Sequence, residues 1–270
     1  MFEIGLSSGK ISEELFGNYL KAGIKHMEVS MPYNFYPEID YKSLKKWSQD
    51  YDVNLWSFHL PFSPFTQIEI SKKELCKATI EYYTELVAKA SDIGIDKFIV
   101  HPSGEPIDDS ERYDRKERSK ESLFELSEIA NKNGAVVAVE NLPRSCIGKN
   151  SDEIHELVSV HEKLRVCFDT NHLLSEDMCR FVRKINDKIV TMHVSDYDFT
   201  DEQHWLPGEG KTDWQALVSV LEEIGYKGIW LYEVPFENTA KIQRSRDLVC
   251  EDFVRNAKEI FENTPITIIR

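Results

Sequence analysis

The segment AVVAVENLPRSCIGKNSDEIHELVSVHEKLRVCFDTNH, residues 135–172, contains two short apolar runs separated by an amphipathic stretch. The runs at 135–141 and 165–170 lack the strict polar–apolar alternation of a strand with one face in water, which favours parallel strands buried on both faces. The stretch between them has apolar residues every three or four positions, as a helix packed on a sheet does. The segment is therefore predicted to form a strand–helix–strand unit.

The same alternation continues along the whole chain. Further apolar runs predict strands at 2–7, 26–30, 53–60, 97–102, 189–194 and 228–234. Glycines precede several of these strands where helix C-terminal caps are expected, namely Gly23, Gly94, Gly134 and Gly225. Residues placed to cap helix N-termini are Ser12, Ser71, Ser151, Ser175 and Thr212.

Two architectures accommodate this pattern: an open doubly wound sheet and a closed (β/α)8 barrel. The length of 270 residues suits a barrel, which typically needs about 250 residues. No glycine-rich dinucleotide-binding turn follows the first run. We therefore predict the α/β class and a (β/α)8 TIM barrel, with residues 1–270 as a single domain.

Composition limits the classes of partner. The chain has 33 basic and 47 acidic residues, a net charge of −14, which makes nucleic acid a disfavoured partner. No run approaches the ~18 apolar residues of a membrane span. The N-terminus does not resemble a secretory signal, and the five scattered cysteines form no metal or disulfide motif, so we expect a cytoplasmic protein.

Residues that can ligate metals lie at the C-terminal ends of six predicted strands, which converge on one face of a barrel. They are His59, His101, Glu140, Asp169 with His172, His193 with Asp196, and Glu233. Imidazoles and carboxylates without thiolates suit Mn²⁺, Zn²⁺, Co²⁺ or Fe²⁺, and Mg²⁺ where oxygens dominate. The set Glu140, Asp169, His193 and Glu233 would hold one ion and leave room for two substrate oxygens.

Such an ion would polarise a hydroxy-carbonyl group while a carboxylate moves a proton. Simpler roles stay open for single residues: a turn for Asp169, a core imidazole for His193, and loop hydrogen bonds for His59 and His101. Glu28, on the second strand, either reaches the same mouth or has a structural role.

The longest irregular stretch, SDYDFTDEQHWLPGEGK at 195–211, contains His204 and Trp205 and is expected to be functional. Aromatic residues are predicted around the mouth, where rings pack on sugar C–H faces. They are Tyr33, Phe35, Tyr36, Phe62, Phe65 and Trp205.

Five motifs carry a resemblance to a known family: VENLP (139–143), FDTNH (168–172), HVSDYD (193–198), HWLPGEGKTDW (204–214) and YEVP (232–235). In this order they resemble the xylose isomerase-like TIM-barrel superfamily, specifically its sugar phosphate isomerase/epimerase family. The resemblance implies a divalent ion (Mn²⁺, Mg²⁺, Co²⁺ or Zn²⁺) held by the four-residue set, with Glu140 and Glu233 as the acid/base pair. It implies a small sugar or sugar phosphate as substrate, contacted by His59, His101, His172, His204 and Trp205.

One feature departs from the family pattern. Ketose 3-epimerases of this superfamily carry a substrate-gripping arginine in the loop after the seventh strand, and residues 194–211 contain none. Related alternatives therefore stay open: a dehydratase of a sugar-derived keto acid, a barrel that only binds sugar, or an enzyme similar to endonuclease IV. The sugar, its phosphorylation and a homo-oligomeric state are also open.

Endonuclease IV cleaves abasic DNA with three metal ions. Its ligand pattern finds matches at His59, His101, Glu140, Asp169, His172, His193, His204 and Glu233, with Glu202 where that family has aspartate. The predicted loops at 32–41 and 61–70 contain no basic residue, which disfavours DNA on this rim.

Overall fold

The computed structural model describes residues 1–62, 67–238 and 242–269, and within them eight parallel strands form one sheet. The strands are β1 (Ile4–Ser8), β2 (His26–Val29), β3 (Asn54–His59), β4 (Lys97–Val100), β5 (Val136–Glu140), β6 (Arg165–Asp169), β7 (Ile189–His193) and β8 (Trp230–Tyr232). Each strand overlaps one of the predicted apolar runs, and β1 extends one residue beyond its run, to Ser8.

A helix follows every strand in the described part of the chain. The helices are α1 (Glu13–Ala22), α2 (Tyr41–Asp50), α3 (Cys76–Ser91), α4 (Asp109–Lys132), α5 (Ser151–Val158), α6 (Met178–Ile185), α7 (Trp214–Glu223) and α8 (Cys250–Phe261). Short 3₁₀ helices span Tyr33–Glu38 and Asn186–Lys188. None of the helices in the described ranges is both long enough and apolar enough to cross a bilayer.

The sheet closes on itself. Neighbouring strands from β1 to β7 pair in chain order, and β8 pairs with β1. Between β7 and β8, the Val194 N–H donates to the Leu231 carbonyl at 2.8 Å and the Glu233 N–H donates to the Val194 carbonyl at 3.1 Å. The predicted (β/α)8 barrel is therefore confirmed and the open sheet is excluded.

The strand period of two determines which residues enter the barrel. Val137 and Val139 of β5 pack with the helices, whereas Ala138 belongs to a separate small cluster inside the barrel with Ile99 and Cys167. The residue two positions beyond Ala138 lies on the same inner face, and it is Glu140. The ligand-type residues thus form the layer above the small apolar cluster of Ile99, Ala138 and Cys167.

The helix ends agree only partly with the sequence. Gly23, Gly94, Gly134 and Gly225 have positive φ values, as expected of C-terminal caps, and Ser12 caps α1 through the Leu15 N–H. The other N-cap predictions are wrong. For α5, α6 and α7, the side chain of a nearby amide or carboxylate residue accepts the first-turn N–H instead, and no side chain among the described residues caps α3. The observed caps are Asn150 for α5, Asp177 for α6 and Asp213 for α7. Ser71 is buried and donates to Glu69, well before α3 begins.

Candidate metal centre

Four consecutive strands bring the four predicted ligands together. Glu140, Asp169, His193 and Glu233 each offer one donor atom, and these atoms all lie within 4.8 Å of one another. The first three side chains are at most 1% exposed, whereas Glu233 is 22% exposed. The cluster therefore lies beneath the mouth of the barrel, with Glu233 on its solvent side.

His193 turns one ring nitrogen toward these carboxylates. Its Nδ1 lies 3.2 Å from Glu140 Oε1 and 3.5 Å from Glu233 Oε2. Its Nε2 lies 3.0 Å from Oε1 of Glu28, which also accepts the Ser57 hydroxyl at 2.7 Å through Oε2. A carboxylate behind a metal-binding imidazole fixes the tautomer that leaves the other nitrogen free for the ion. Glu28 therefore reaches the candidate centre through His193.

Asp169 is held by its neighbours and keeps one oxygen free. Asn141 accepts the Asp169 N–H at 2.8 Å, and Oδ1 of Asp169 accepts the Asn171 N–H at 2.6 Å. Its buried Oδ2 has no hydrogen-bond partner among the described residues. An unsatisfied buried carboxylate oxygen is energetically costly, so this atom fits a cation. Burial, together with Glu233 and Glu140, raises the pKa of Asp169 to about 8.

The electrostatics favour positive charge at the centre. Burial alone would raise the pKa of Glu140, but His193 and His101 hold it well below its usual range. Burial would likewise lower the pKa of His193, but Cys167 and the carboxylates of Glu28 and Glu233 raise it well above its ordinary value. Protonated imidazoles or a divalent cation can supply the charge that these carboxylates require. The donor set fits such an ion.

Two histidines form a group on the other side of Glu140. Nε2 of His59 lies 3.1 Å from Glu140 Oε2, and Nε2 of His101 lies 3.2 Å from the same oxygen. Because the Leu60 carbonyl can only accept, Nδ1 of His59 carries the proton in their 2.9 Å hydrogen bond. This carboxylate therefore connects two groups of donors.

A third group of donors lies nearer the mouth. Nε2 of His204 is 2.9 Å from Glu202 Oε1, and Nε2 of His172 is 3.7 Å from the same oxygen. Despite their burial, nearby carboxylates raise the pKa of His172 to about 10 and that of His204 to about 9. Glu202 thus joins two residues predicted to bind substrate.

This architecture agrees with a family model. A sequence model described as xylose isomerase-like TIM barrel matches residues 16–251. The chain belongs to this family. The resemblance drawn from the five motifs is thereby confirmed.

Individual relatives of this xylose isomerase-like chain are distant. An uncharacterized protein of Methanocaldococcus jannaschii, MJ1311, is 24% identical over 219 residues, 78% of this chain and 73% of that protein. Inosose isomerase of Bacillus velezensis is 27% identical over 158 residues, 54% of each chain. The crystal structure of a D-tagatose 3-epimerase-like protein superposes with a TM-score of 0.81 at 21% identity, covering 97% of both chains. This last likeness shows the shared fold.

One ligand-type residue of this xylose isomerase-like barrel lies outside the candidate centre. Asp196 accepts the N–H groups of Gly208 at 2.8 Å and Gly210 at 3.0 Å, and the Trp214 indole N–H at 3.2 Å. It therefore organises the GEGK turn of the loop after β7, and the expectation that Asp196 joins the ligand-type groups at the mouth is wrong. The main chain of Trp205 pairs with that of Asp196 in the same loop.

An arginine that the sequence analysis missed reaches this loop from the neighbouring side. Arg144, in the loop after β5, contacts Glu105 at 2.9 Å, Asp201 at 2.6 Å and Glu202 at 3.0 Å. The loop after β7 lacks an arginine of its own, but one from the loop after β5 pairs with it. No sequence motif indicates this pairing, because the partners are 57 and 58 residues apart.

The aromatic residues predicted around the mouth of this xylose isomerase-like barrel differ in their exposure to solvent. Tyr33, Phe35 and Phe62 are exposed, and the Phe62 ring stacks on His101 with centroids 3.8 Å apart. Tyr36 is buried and donates to the His59 carbonyl at 2.5 Å, so its predicted place on the open rim is wrong. Phe65 lies outside the described residues.

Proposed function

We propose that this protein is a divalent-metal-dependent isomerase or epimerase of a small sugar, sugar phosphate or keto-polyol. The observation that carries the proposal is the convergence of one imidazole and three carboxylates within 4.8 Å, with one carboxylate, Glu233, lining the cavity at the mouth. Inosose isomerase and the D-tagatose 3-epimerase-like structure support this class of reaction.

Glu140, Asp169, His193 and Glu233 would hold the ion, and the donor types accommodate Mn²⁺, Mg²⁺, Co²⁺ or Zn²⁺. When bound, such an ion supplies the positive charge that stabilises a deprotonated hydroxy-ketone. The fit rests on the free Oδ2 of Asp169 and on the tautomer of His193 set by Glu28.

Two glutamates would move the proton. Glu233 lines a cavity of about 250 Å³ at the mouth and is the more exposed of the pair, so it removes the proton from the carbon beside the carbonyl. Glu140 extends from β5. Two strands separate β5 from β8 in one direction around the barrel and four in the other. Glu140 would therefore act on the substrate from a different direction than Glu233. His204 lines the same cavity, and the His172 ring lies beside it with centroids 6.1 Å apart. These two histidines would orient the substrate hydroxyl groups, with His59, His101 and Trp205 assigned to substrate contacts.

Deuterium exchange tests this assignment. Ketoses, keto-inositols and their phosphates are incubated with the protein and each metal in D₂O, and ¹H NMR follows loss of the signal beside the carbonyl. Exchange is expected with at least one substrate and is expected to fall at least 100-fold in Glu233→Gln. Glu81→Gln, an exposed glutamate on α3, serves as the control. Wild-type exchange in Glu233→Gln would exclude its role, and the same spectra detect the loss of water that a dehydratase would cause.

A second candidate function follows from the three groups of donors. His59 and His101 share Glu140 with the central set, and His172, Glu202 and His204 form a further set in which the donors lie within 4.8 Å of one another. A three-metal phosphodiesterase acting on abasic DNA requires such an arrangement. The net charge of −14 opposes a polyanionic substrate. Elemental analysis separates the two candidates, because we expect about one ion per chain for the isomerase and three for the phosphodiesterase.

A further inference from the structure

A larger cavity lies beside the candidate metal centre, between the loops that follow β1 and β8. Its volume is about 770 Å³, within the range of sites that hold ligands larger than a monosaccharide. Its walls include Ser8, Lys10, Leu15, Phe236, Leu248 and Val249. None of these residues belongs to the three groups of donors described above.

The larger cavity adjoins the space at the mouth and shares part of its wall. Ser7, Gly9, Val234 and Pro235 line both the 770 Å³ cavity and the 250 Å³ cavity that contains Glu233. Gly9 adds no side chain to this shared wall, and even an added Cβ would meet only the Ser30 carbonyl, at 3.5 Å. A substituent on a molecule whose reacting carbons lie beside Glu233 would therefore reach the larger cavity past Gly9.

The polarity and charge of the lining residues indicate which chemical groups such an extension would carry. Leu15, Phe236 and Leu248 provide an apolar lining that suits an alkyl stem. Among the residues that the structure describes, the charged ones that line the cavity are one lysine and three glutamates: Lys10, Glu14, Glu237 and Glu251. Lys10 already pairs with Glu237 at 2.7 Å, so a negatively charged substituent would meet a surplus of carboxylates, whereas a cation would be attracted.

We infer that this cavity binds an alkylammonium substituent carried by the sugar whose reacting carbons lie at the candidate metal centre. The inference rests on the proposed isomerase function and narrows its substrate class from sugars and sugar phosphates to sugars with an apolar, positively charged extension. A phosphate at the same position is disfavoured.

Binding of three fragments tests the inference without requiring turnover. Hexylammonium, hexanol and hexyl phosphate have the same stem, and their affinities for the metal-free and Mg²⁺-loaded protein are measured by ligand-observed NMR. Hexylammonium is expected to bind most tightly and hexyl phosphate most weakly. The double variant Glu14→Gln/Glu251→Gln is expected to weaken hexylammonium about threefold and to leave hexanol unchanged. Glu13→Gln, on the same helix but outside the cavity, is the matched control.

A second measurement tests the position of the fragment. With Mn²⁺ in place of Mg²⁺, the hexylammonium resonances are expected to broaden because the cavity adjoins the metal centre, and Asp169→Asn is expected to abolish the broadening. The inference is overturned if hexyl phosphate binds best, if the double variant binds hexylammonium as wild type does, or if bound Mn²⁺ leaves its resonances sharp. Absence of deuterium exchange with every sugar tested, including a ketose that carries an alkylammonium substituent, together with selective hexylammonium binding, would instead reject the isomerase function.

Discussion

Oε1 of Glu28 lies 3.0 Å from Nε2 of His193, on the side of the imidazole opposite Nδ1, which faces Glu140, Asp169 and Glu233. Both side chains are fully buried. Burial alone would raise the pKa of Glu28, but His193 lowers it. The pair therefore consists of a carboxylate that accepts a hydrogen bond from Nε2–H, through Oε2 at 3.1 Å, and an imidazole whose other nitrogen is directed at the candidate metal centre.

Glu28→Gln is expected to weaken divalent metal binding about tenfold, because the amide no longer fixes the His193 tautomer by charge. Isothermal titration calorimetry with Mn²⁺ measures the effect. Ser57→Ala, which removes only the hydroxyl donor to Glu28, is expected to have a smaller effect. Equal affinities in wild type and Glu28→Gln would show that Glu28 has no influence on the centre.

Asp169→Asn is expected to abolish tight metal binding, since it replaces the carboxylate whose Oδ2 is free with a neutral group of the same shape. Elemental analysis of the purified proteins compares metal content, with about one ion expected per wild-type chain. Metal is also expected to raise Tm in wild type, because a ligand that binds only the folded state stabilises it. A metal-free wild type that binds no ion on titration would contradict the assignment of the centre.

Metal affinity is expected to increase with pH between 6 and 8. The pKa of Asp169 is raised to about 8, mainly by burial, so below that pH an entering ion must displace a proton. If one proton is displaced per bound ion, the metal affinity increases about tenfold for each unit by which the pH is raised. Titrations in buffers of different ionisation enthalpy count the protons released. An affinity that is constant across this range would show that the carboxyl is already ionised.

Arg144→Ala is expected to loosen the loop after β7 with little change in Tm. The guanidinium joins Glu105, Asp201 and Glu202, but it is 39% exposed, so solvent screening limits its contribution to about 1 kcal/mol or less. Limited proteolysis within 195–211 is expected to become several-fold faster. Arg183→Ala breaks an exposed pair with Glu223 between α6 and α7 and is the control. Equal cleavage rates in the two variants would show that Arg144 does not fasten the loop.

The sequence predicts much of the candidate centre because the strand period is local. Once 135–141 is recognised as a parallel strand, its C-terminal end places Glu140 at the mouth of a barrel, and the same argument applies to Asp169 and His193. The helix caps are less predictable, since several side chains near each helix end can accept the same N–H group. Asn150 and Asp213 are observed where the neighbouring Ser151 and Thr212 were predicted.

By itself the sequence determined the eight strands and most of the ligand-type side chains at their C-terminal ends, because these depend on short-range periodicity. The closed barrel is predicted from the chain length and the missing dinucleotide-binding turn, not from periodicity. Only the tertiary structure decided which of those side chains meet. The contact between Glu28 and His193 joins residues 165 positions apart, and Arg144 reaches Glu202 across two loops. The wall that the two cavities share at Gly9 likewise depends on closure between β8 and β1. Such contacts result from packing the whole chain at once, so no local pattern in the sequence encodes them.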